Sequence, residues 1–230
     1  LGTLLAVLTL ACATSQNSDR MPAGDESEVS IENLTKTVTT LSSPEFNGRA
    51  PGTSGHLAAK NYIIDRLKEY RYPTRTITTK RKLGPPIENL YTILPGMPST
   101  AGQCIALAAH YDHNGPIDHK YSPGANDNAT GVAALLEIAR ILRSRAGTLP
   151  ADIYIMFPDY EEAFISGSPY LADALKTKCT KVLFTVTYDM IGVPFFPGFE
   201  NKLLALGAES NSALDSLVAN TAKNPGSDLS

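Results

Sequence analysis

The sequence predicts an α/β fold, a three-layer αβα sandwich with a mixed, mainly parallel central sheet. Three continuous apolar runs, at residues 104–109, 153–157 and 182–188, are typical of strands that are covered on both faces. Segments with helical periodicity alternate with these runs, which favours a sheet with helices on both sides. The chain has 230 residues and 43% hydrophobic content, enough for one domain with a full core.

The part of the chain before the first apolar run predicts two helices and two strands. Residues 30–41 have a helical pattern, with an initiating serine and apolar residues about 3.6 positions apart. A second helix follows the loop 42–55, in which we interpret Arg49 as a structural residue paired with a carboxylate, substrate contact being the alternative. Residues 74–82 alternate and are rich in basic side chains, as in an exposed edge strand, and 89–94 form the next strand.

The part after the first apolar run predicts three helices and one further strand. Residues 128–144 carry the clearest helical stripe in the chain. A helix at 169–178 follows the second apolar run, and a strand at 203–206 precedes a last helix at 212–223. Residues 30–230 are therefore predicted to form one domain.

The N-terminal residues predict export from the cytoplasm. Residues 1–12 begin with an apolar run too short to span a bilayer, which we interpret as the end of an export signal. Residues 9–12, Thr-Leu-Ala-Cys, resemble a bacterial lipobox, so we expect a lipid anchor at Cys12, with plain secretion as the alternative. Residues 13–29 are polar and rich in Ser, Asp and Gly, as in a flexible tether. The predicted location is extracytoplasmic, in the bacterial periplasm.

The charge balance excludes one class of partner. The net charge is −3, with 20 basic and 23 acidic residues, so the basic excess of nucleic-acid-binding proteins is absent. We therefore expect no nucleic-acid partner.

Two further cysteines, Cys104 and Cys179, each precede a predicted strand. They would be able to pair in an oxidising compartment. Buried free thiols are the favoured interpretation, because cysteine is often buried without a bond.

Three short polar segments follow the predicted strands or lead from one into a helix. They are His110-Tyr111-Asp112, Gly124-Ala125-Asn126-Asp127-Asn128 and Asp159-Tyr160-Glu161-Glu162, and Asp189 follows the next apolar run in the same way. Because open α/β sheets place ligand sites at the carboxyl ends of their strands, we expect one site to collect them. Imidazole and carboxylates without a thiolate suit a catalytic zinc site that keeps a position open for water.

The order of these motifs resembles peptidase family M28, the co-catalytic zinc aminopeptidases. The likeness covers roughly residues 45–192 and includes Asn47-Gly48-Arg49-Ala50-Pro51-Gly52-Thr53. It implies that His110 binds one zinc ion with Asp112 as its partner, and that Asp127 bridges two zinc ions. Glu162 and Asp189 would each complete one site. A cis peptide bond between Asp127 and Asn128 is also implied.

The same resemblance implies an activity. Peptides with a free N-terminus would be the substrates, and their N-terminal peptide bond would be hydrolysed by a zinc-bridged water. Glu161 would be the general base that takes the proton of this water. Contact with a membrane is expected only through the lipid anchor.

One ligand of the family pattern has no counterpart. The fifth ligand is a histidine near the C-terminus, whereas this chain has only His56, His110, His113 and His119. We therefore expect a C-terminally truncated domain, and we interpret His113 and His119 as loop or substrate-rim residues. Two alternatives stay open. One is a non-catalytic binding protein of the same fold, and the other is a single-zinc enzyme similar to glutaminyl cyclases, although the tryptophans that line their pocket are absent here.

Overall fold

A computed structural model of the chain describes residues 28–116, 121–194 and 197, and five positions near the C-terminus, 212, 215, 216, 219 and 220. The helices are α1 Ile31–Leu41, α2 Ser54–Glu69, α3 Thr130–Leu142 and α4 Ser168–Lys178. The strands are β1 Arg75–Thr79, β2 Ile87–Leu94, β3 Gln103–Ala108, β4 Asp152–Phe157 and β5 Lys181–Thr187. Short helical turns occur at Pro44–Arg49, Pro98–Thr100, Ala125–Ala129 and Arg143–Arg145.

The five strands form one mixed sheet in the order β1-β2-β4-β3-β5. β1 pairs antiparallel with β2, and β2 pairs antiparallel with β4. β3 lies between β4 and β5 and is parallel to both. The predicted mixed α/β sheet is therefore confirmed, and within the described residues its parallel part is the half formed by β4, β3 and β5.

The helices cover both faces of this sheet, which confirms the three-layer sandwich. On one face, α1, α2 and α3 bury residues such as Leu41, Ile63 and Leu135 against Ile155 and Phe157 of the sheet. On the other face, α4 buries Leu171 and Leu175 against a smaller cluster of sheet residues, among them Ala106, Tyr154 and Met156. Because β3 and β4 are covered on both sides, they hold the loops at their carboxyl ends in fixed positions.

The first two helices, α1 and α2, begin where the sequence supplies a capping side chain. Ser30 Oγ accepts a hydrogen bond from the backbone N–H of Asn33 at the start of α1, 3.2 Å away. Thr53 Oγ1 accepts one from the N–H of His56 at the start of α2, also at 3.2 Å. These bonds satisfy donors that have no partner within the helix, and they set where each helix begins.

Cys104 and Cys179 form a disulfide bond with a Cα–Cα distance of 5.9 Å, so the favoured interpretation of two free thiols was wrong. Cys104 lies at the start of β3, and Cys179 directly follows α4. The helix runs back across the sheet, which brings its C-terminal end to the amino end of β3. The two cysteines have a sequence separation of 75, and this spacing gives no sign of their approach.

Several predicted segments lie outside the described residues. They are the export signal 1–12 with Cys12, nearly all of the tether 13–29, and the strand 203–206. In the predicted helix 212–223, the five described positions are helical and exposed. Among the described helices, none has both the length and the apolar content needed to cross a membrane.

Replacing both bonded cysteines, Cys104→Ala with Cys179→Ala, is expected to lower the free energy of unfolding by about 2–5 kcal/mol. The reason is that the bond restricts the unfolded chain and ties α4 to the sheet. Urea denaturation of the oxidised wild type and of the double variant measures the difference. Reductant should destabilise the wild type and leave the variant unchanged; equal stability of the two oxidised proteins would contradict the bond.

Candidate metal centre

The polar segments meet at the carboxyl end of the parallel strands. The pairing of β3 with β4 continues past both strands, because Ala109 N–H donates to Met156 O and Tyr111 N–H donates to Pro158 O, at 3.1 and 3.2 Å. The loop after β3 therefore runs beside the loop after β4. Asp189 follows β5, and Asp127 lies in the turn Ala125–Ala129 before α3.

His110, Asp127 and Asp189 form the first cluster of candidate ligands. His110 Nε2 lies 3.3 Å from Asp127 Oδ1 and 3.4 Å from Asp189 Oδ1. The residue is 2% exposed, and its Nε2 has no hydrogen-bond partner among the described residues. Two atoms that bind one tetrahedral zinc ion at about 2.0–2.1 Å lie about 3.3 Å apart, so this cluster fits zinc.

The other nitrogen of His110 is held by the backbone. Nδ1–H donates to the carbonyl oxygen of Asp112 at 3.2 Å, which leaves the lone pair of the neutral ring on Nε2. Burial alone would lower the pKa of His110, but the neighbouring carboxylates of Asp112, Asp127 and Asp189 outweigh it and raise this pKa to about 12. Without a cation, a proton on His110 offsets the negative charge of these carboxylates.

Asp127 also belongs to a second cluster, with His113 and Glu162. Its Oδ1 faces His110, whereas its Oδ2 lies 3.8 Å from His113 Nδ1. His113 Nδ1 in turn lies 2.7 Å from Glu162 Oε1. One carboxylate thus points an oxygen at each cluster, an arrangement suited to a bridging ligand.

Asp112 and Glu161 lie beside His110 of the first cluster. The fully buried carboxylate of Asp112 accepts hydrogen bonds from the backbone N–H groups of Glu161 and Glu162, at 3.0 and 3.3 Å. Its Oδ1 is 3.6 Å from His110 Nδ1. Glu161 Oε2 lies 3.9 Å from His110 Nε2, and burial raises the pKa of this carboxyl. Asp112 therefore fixes the loop that carries Glu161 and Glu162, a role that extends the one the sequence suggested.

The peptide bond between Asp127 and Asn128 is cis, as the resemblance implied. Asn128 takes the capping role at α3, because its Oδ1 accepts from Gly131 N–H at 3.1 Å. Its Nδ2–H donates to the carbonyl of Tyr188 at 2.9 Å. The cap therefore also ties α3 to the segment that carries Asp189.

Arg49 is buried, with 1% of its surface exposed, and anchors the loops that carry the site. Its role is structural, as the sequence suggested, but its partners are backbone carbonyls and not a carboxylate. The guanidinium donates to five of them, those of Leu41, Tyr111, Pro123, Gly124 and Asp127. Burial lowers the pKa of Arg49 to about 10, against nearby carboxylates that raise it, so the group keeps its charge at neutral pH.

Sequence reasoning missed a buried pair behind the site. His56 Nε2 lies 2.8 Å from Asp159 Oδ1, and the imidazole stacks on the ring of Tyr111 with centroids 5.0 Å apart. Asp159 Oδ2 accepts from Glu88 N–H at 2.8 Å. The sequence offered one signal, since Asp159 is an acidic residue at the end of a buried strand. Its partner His56, however, lies in α2, 103 residues away. His119, interpreted from the sequence as a loop residue, lies outside the described residues.

An α/β sandwich that gathers imidazole and carboxylate groups at its strand ends is suited to bind a metal ion there. The chain belongs to peptidase family M28, because the model of that family matches residues 89–228. A probable zinc metalloprotease of Pyrenophora teres f. teres is 28% identical over 188 residues, which are 72% of this chain and 38% of that protein. Aminopeptidase YwaD of Bacillus subtilis is 34% identical over 117 residues, 49% of this chain and 23% of that protein.

The fold has a close counterpart among solved structures. The crystal structure of a glutaminyl cyclase from an Acidobacteriales bacterium superposes with a TM-score of 0.69 and 25% identity, over 94% of this chain and 74% of that one. The chain spans well under half the length of the two curated relatives named above. Peptidases and a cyclase are thus both among the proteins that this chain is similar to.

Arg49→Ala is expected to lower the free energy of unfolding by more than about 3 kcal/mol, because each buried carbonyl left without a donor costs about 1–3 kcal/mol. The exposed Arg145→Ala is the matched control and should change stability by less than about 0.5 kcal/mol. Urea denaturation followed by circular dichroism measures both. Similar stabilities of the two variants would contradict the anchoring role.

Proposed function

We propose that the protein is a co-catalytic zinc aminopeptidase that hydrolyses the N-terminal peptide bond of peptides, with Glu161 as the general base. The observation that carries this proposal is the buried Nε2 of His110, which lacks a hydrogen-bond partner among the described residues and faces the oxygens of Asp127 and Asp189. A buried polar atom without a partner is costly, and a cation at this position would supply one.

His110, Asp127 and Asp189 would hold the first zinc ion, and Asp127 and Glu162 would hold the second. Zinc bound there would lower the pKa of a water molecule and polarise the scissile carbonyl. Asp127 is suited to serve both ions, since its two oxygens face different clusters. Support for zinc comes from the donor set and from the peptidase relatives.

Glu161 and Glu162 are adjacent but would have different roles. Side chains of neighbouring residues diverge, so that Glu162 can bind metal while Glu161 faces the reacting water. Partial burial raises the pKa of Glu161, and this brings the pKa closer to that of an effective general base. It would take a proton from water and return it to the leaving amine. Asp112 holds both backbone N–H groups and so fixes the orientation of this pair.

A second candidate function is cyclisation of an N-terminal glutamine. The similarity to the Acidobacteriales glutaminyl cyclase favours it, although this chain has no tryptophan. A peptide that begins with glutamine distinguishes the two reactions. Cyclisation releases ammonia and keeps the peptide at full length, whereas hydrolysis releases the first amino acid. We expect release of the amino acid.

We also propose that the protein acts outside the cytoplasm, in the periplasm, with a lipid anchor at Cys12. The disulfide between Cys104 and Cys179 supports this location, because such bonds persist in oxidising compartments. The apolar N-terminal run and the lipobox-like sequence support the anchor. Labelling with radioactive palmitate in a bacterial host, compared with Cys12→Ser, tests it.

Glu161→Gln should keep both zinc ions and lower kcat about 10²–10⁴-fold, because it removes the base without removing a ligand. Zinc content by mass spectrometry and hydrolysis of an aminoacyl anilide, both on the complete protein, measure these two quantities. Glu69→Gln, on the exposed side of α2, is the control and should match the wild type. Loss of zinc with undiminished activity per remaining ion would overturn the assignment of Glu161.

Asp127→Ala should lose both zinc ions, whereas Asp189→Ala should chiefly weaken one. The reason is that the bridging carboxylate offsets the repulsion of two cations about 3.5–4 Å apart, and Asp189 faces only the first cluster. Zinc titration against a chromophoric chelator gives the number of ions and their affinities. Two tightly held ions in Asp127→Ala would rule out the bridge.

A further inference from the structure

His113 is a buried imidazole next to a candidate metal ligand, and the proposed function gives it no role. Its sequence interpretation as a loop or rim residue does not account for its position, since only 7% of the residue is exposed. Nδ1 lies 2.7 Å from Glu162 Oε1, and Nε2 lies 2.9 Å from Ser122 Oγ. Both ring nitrogens therefore have partners.

These partners determine which nitrogen carries the proton in the neutral ring. A carboxylate oxygen accepts hydrogen bonds, so Nδ1–H is the donor to Glu162 Oε1. Nε2 then carries the lone pair and accepts from the hydroxyl of Ser122. The result is a chain of hydrogen bonds from Ser122 through His113 to Glu162.

The ring lies in a closely fitted position. Gly124 has φ +60°, and a Cβ added there would lie 2.6 Å from His113 Cδ2 and 2.7 Å from Arg49 Nη2. The backbone N–H of His113 also donates to Arg49 O at 3.4 Å. Gly124 thus leaves room for the imidazole and the guanidinium side by side, and both are held where they are.

The distances to neighbouring carboxylates distinguish His113 from the candidate ligand His110. His110 Nε2 is 3.3 and 3.4 Å from its carboxylate neighbours, the spacing of atoms that share one zinc ion, and it has no partner among the described residues. His113 Nδ1 is 2.7 Å from Glu162 Oε1, a hydrogen-bond distance. It is shorter than the ~3.3 Å expected for two ligands of one tetrahedral zinc ion.

We propose that His113 is a positioning residue for the second zinc ion, one that orients Glu162 by donating to Oε1 and leaves the other carboxylate oxygen for the metal. This inference rests on the proposed function. The two sites then mirror each other, since Asp112 orients the imidazole ligand of the first and His113 orients the carboxylate ligand of the second. Outer partners of this kind usually change metal affinity about 10–100-fold.

The test compares zinc binding in the wild type, His113→Ala and His113→Asn. The asparagine amide places an N–H near the position of Nδ1, but an amide nitrogen does not bind zinc. Mass spectrometry gives the number of zinc ions, chelator competition gives both affinities, and the visible spectrum of Co²⁺-substituted protein reports ligand identity. We expect His113→Ala to weaken the second ion about 10–100-fold with little change at the first. His113→Asn should restore most of the loss with a wild-type Co²⁺ spectrum.

Ser122→Ala provides a milder change, which removes the hydroxyl that orients the ring and should weaken the second ion in the same direction. If His113→Ala does not fold, His113→Asn and Ser122→Ala decide the question. Equal losses in the Ala and Asn variants, with an altered Co²⁺ spectrum, would make His113 a ligand and overturn the proposal. Unchanged affinity in all three variants would also overturn it. Fewer than two zinc ions in the complete wild-type protein would instead refute the proposed function itself.

Discussion

Repulsion between carboxylates is the constraint on which this site depends. Five of them converge at one end of the sheet, those of Asp112, Asp127, Glu161, Glu162 and Asp189. Acidic groups are seldom buried without partners, because removing a charge from water is costly. The chain supplies part of the compensation through the raised pKa of His110 and the buried charge of Arg49. A metal ion would supply the remainder.

The parallel half of the sheet makes this convergence possible. β3, β4 and β5 end at the same edge, so that loops distant in sequence become neighbours. Hydrogen bonds then join the loops directly: Asp112 binds the N–H groups of the loop after β4, and Asn128 binds the segment after β5. Hydrogen bonds within the chain therefore position the loops that carry the candidate metal ligands, as a preorganised site requires.

Much of this architecture could be predicted because it depends on local patterns. The apolar runs identified β3, β4 and β5, and the motif order identified the residues that meet at their ends. The pairing of Cys104 with Cys179 could not be predicted, since it depends on how α4 returns across the sheet. The hydrogen bonds of Arg49 and of the pair His56–Asp159 could not be predicted for the same reason. Their partners lie up to 103 residues away and are backbone atoms or side chains that no spacing rule connects.

The long-range hydrogen bonds of Arg49 bear on where this domain begins. The match to the family model starts at residue 89, yet the guanidinium that holds the loops at Tyr111 and Asp127 comes from residue 49. α1 and α2 also lie before residue 89, and their apolar faces form much of the larger core. The segment matched by the family model is thus smaller than the segment that folds. A fragment started at the recognised boundary would keep all the candidate zinc ligands and lose the support that arranges them.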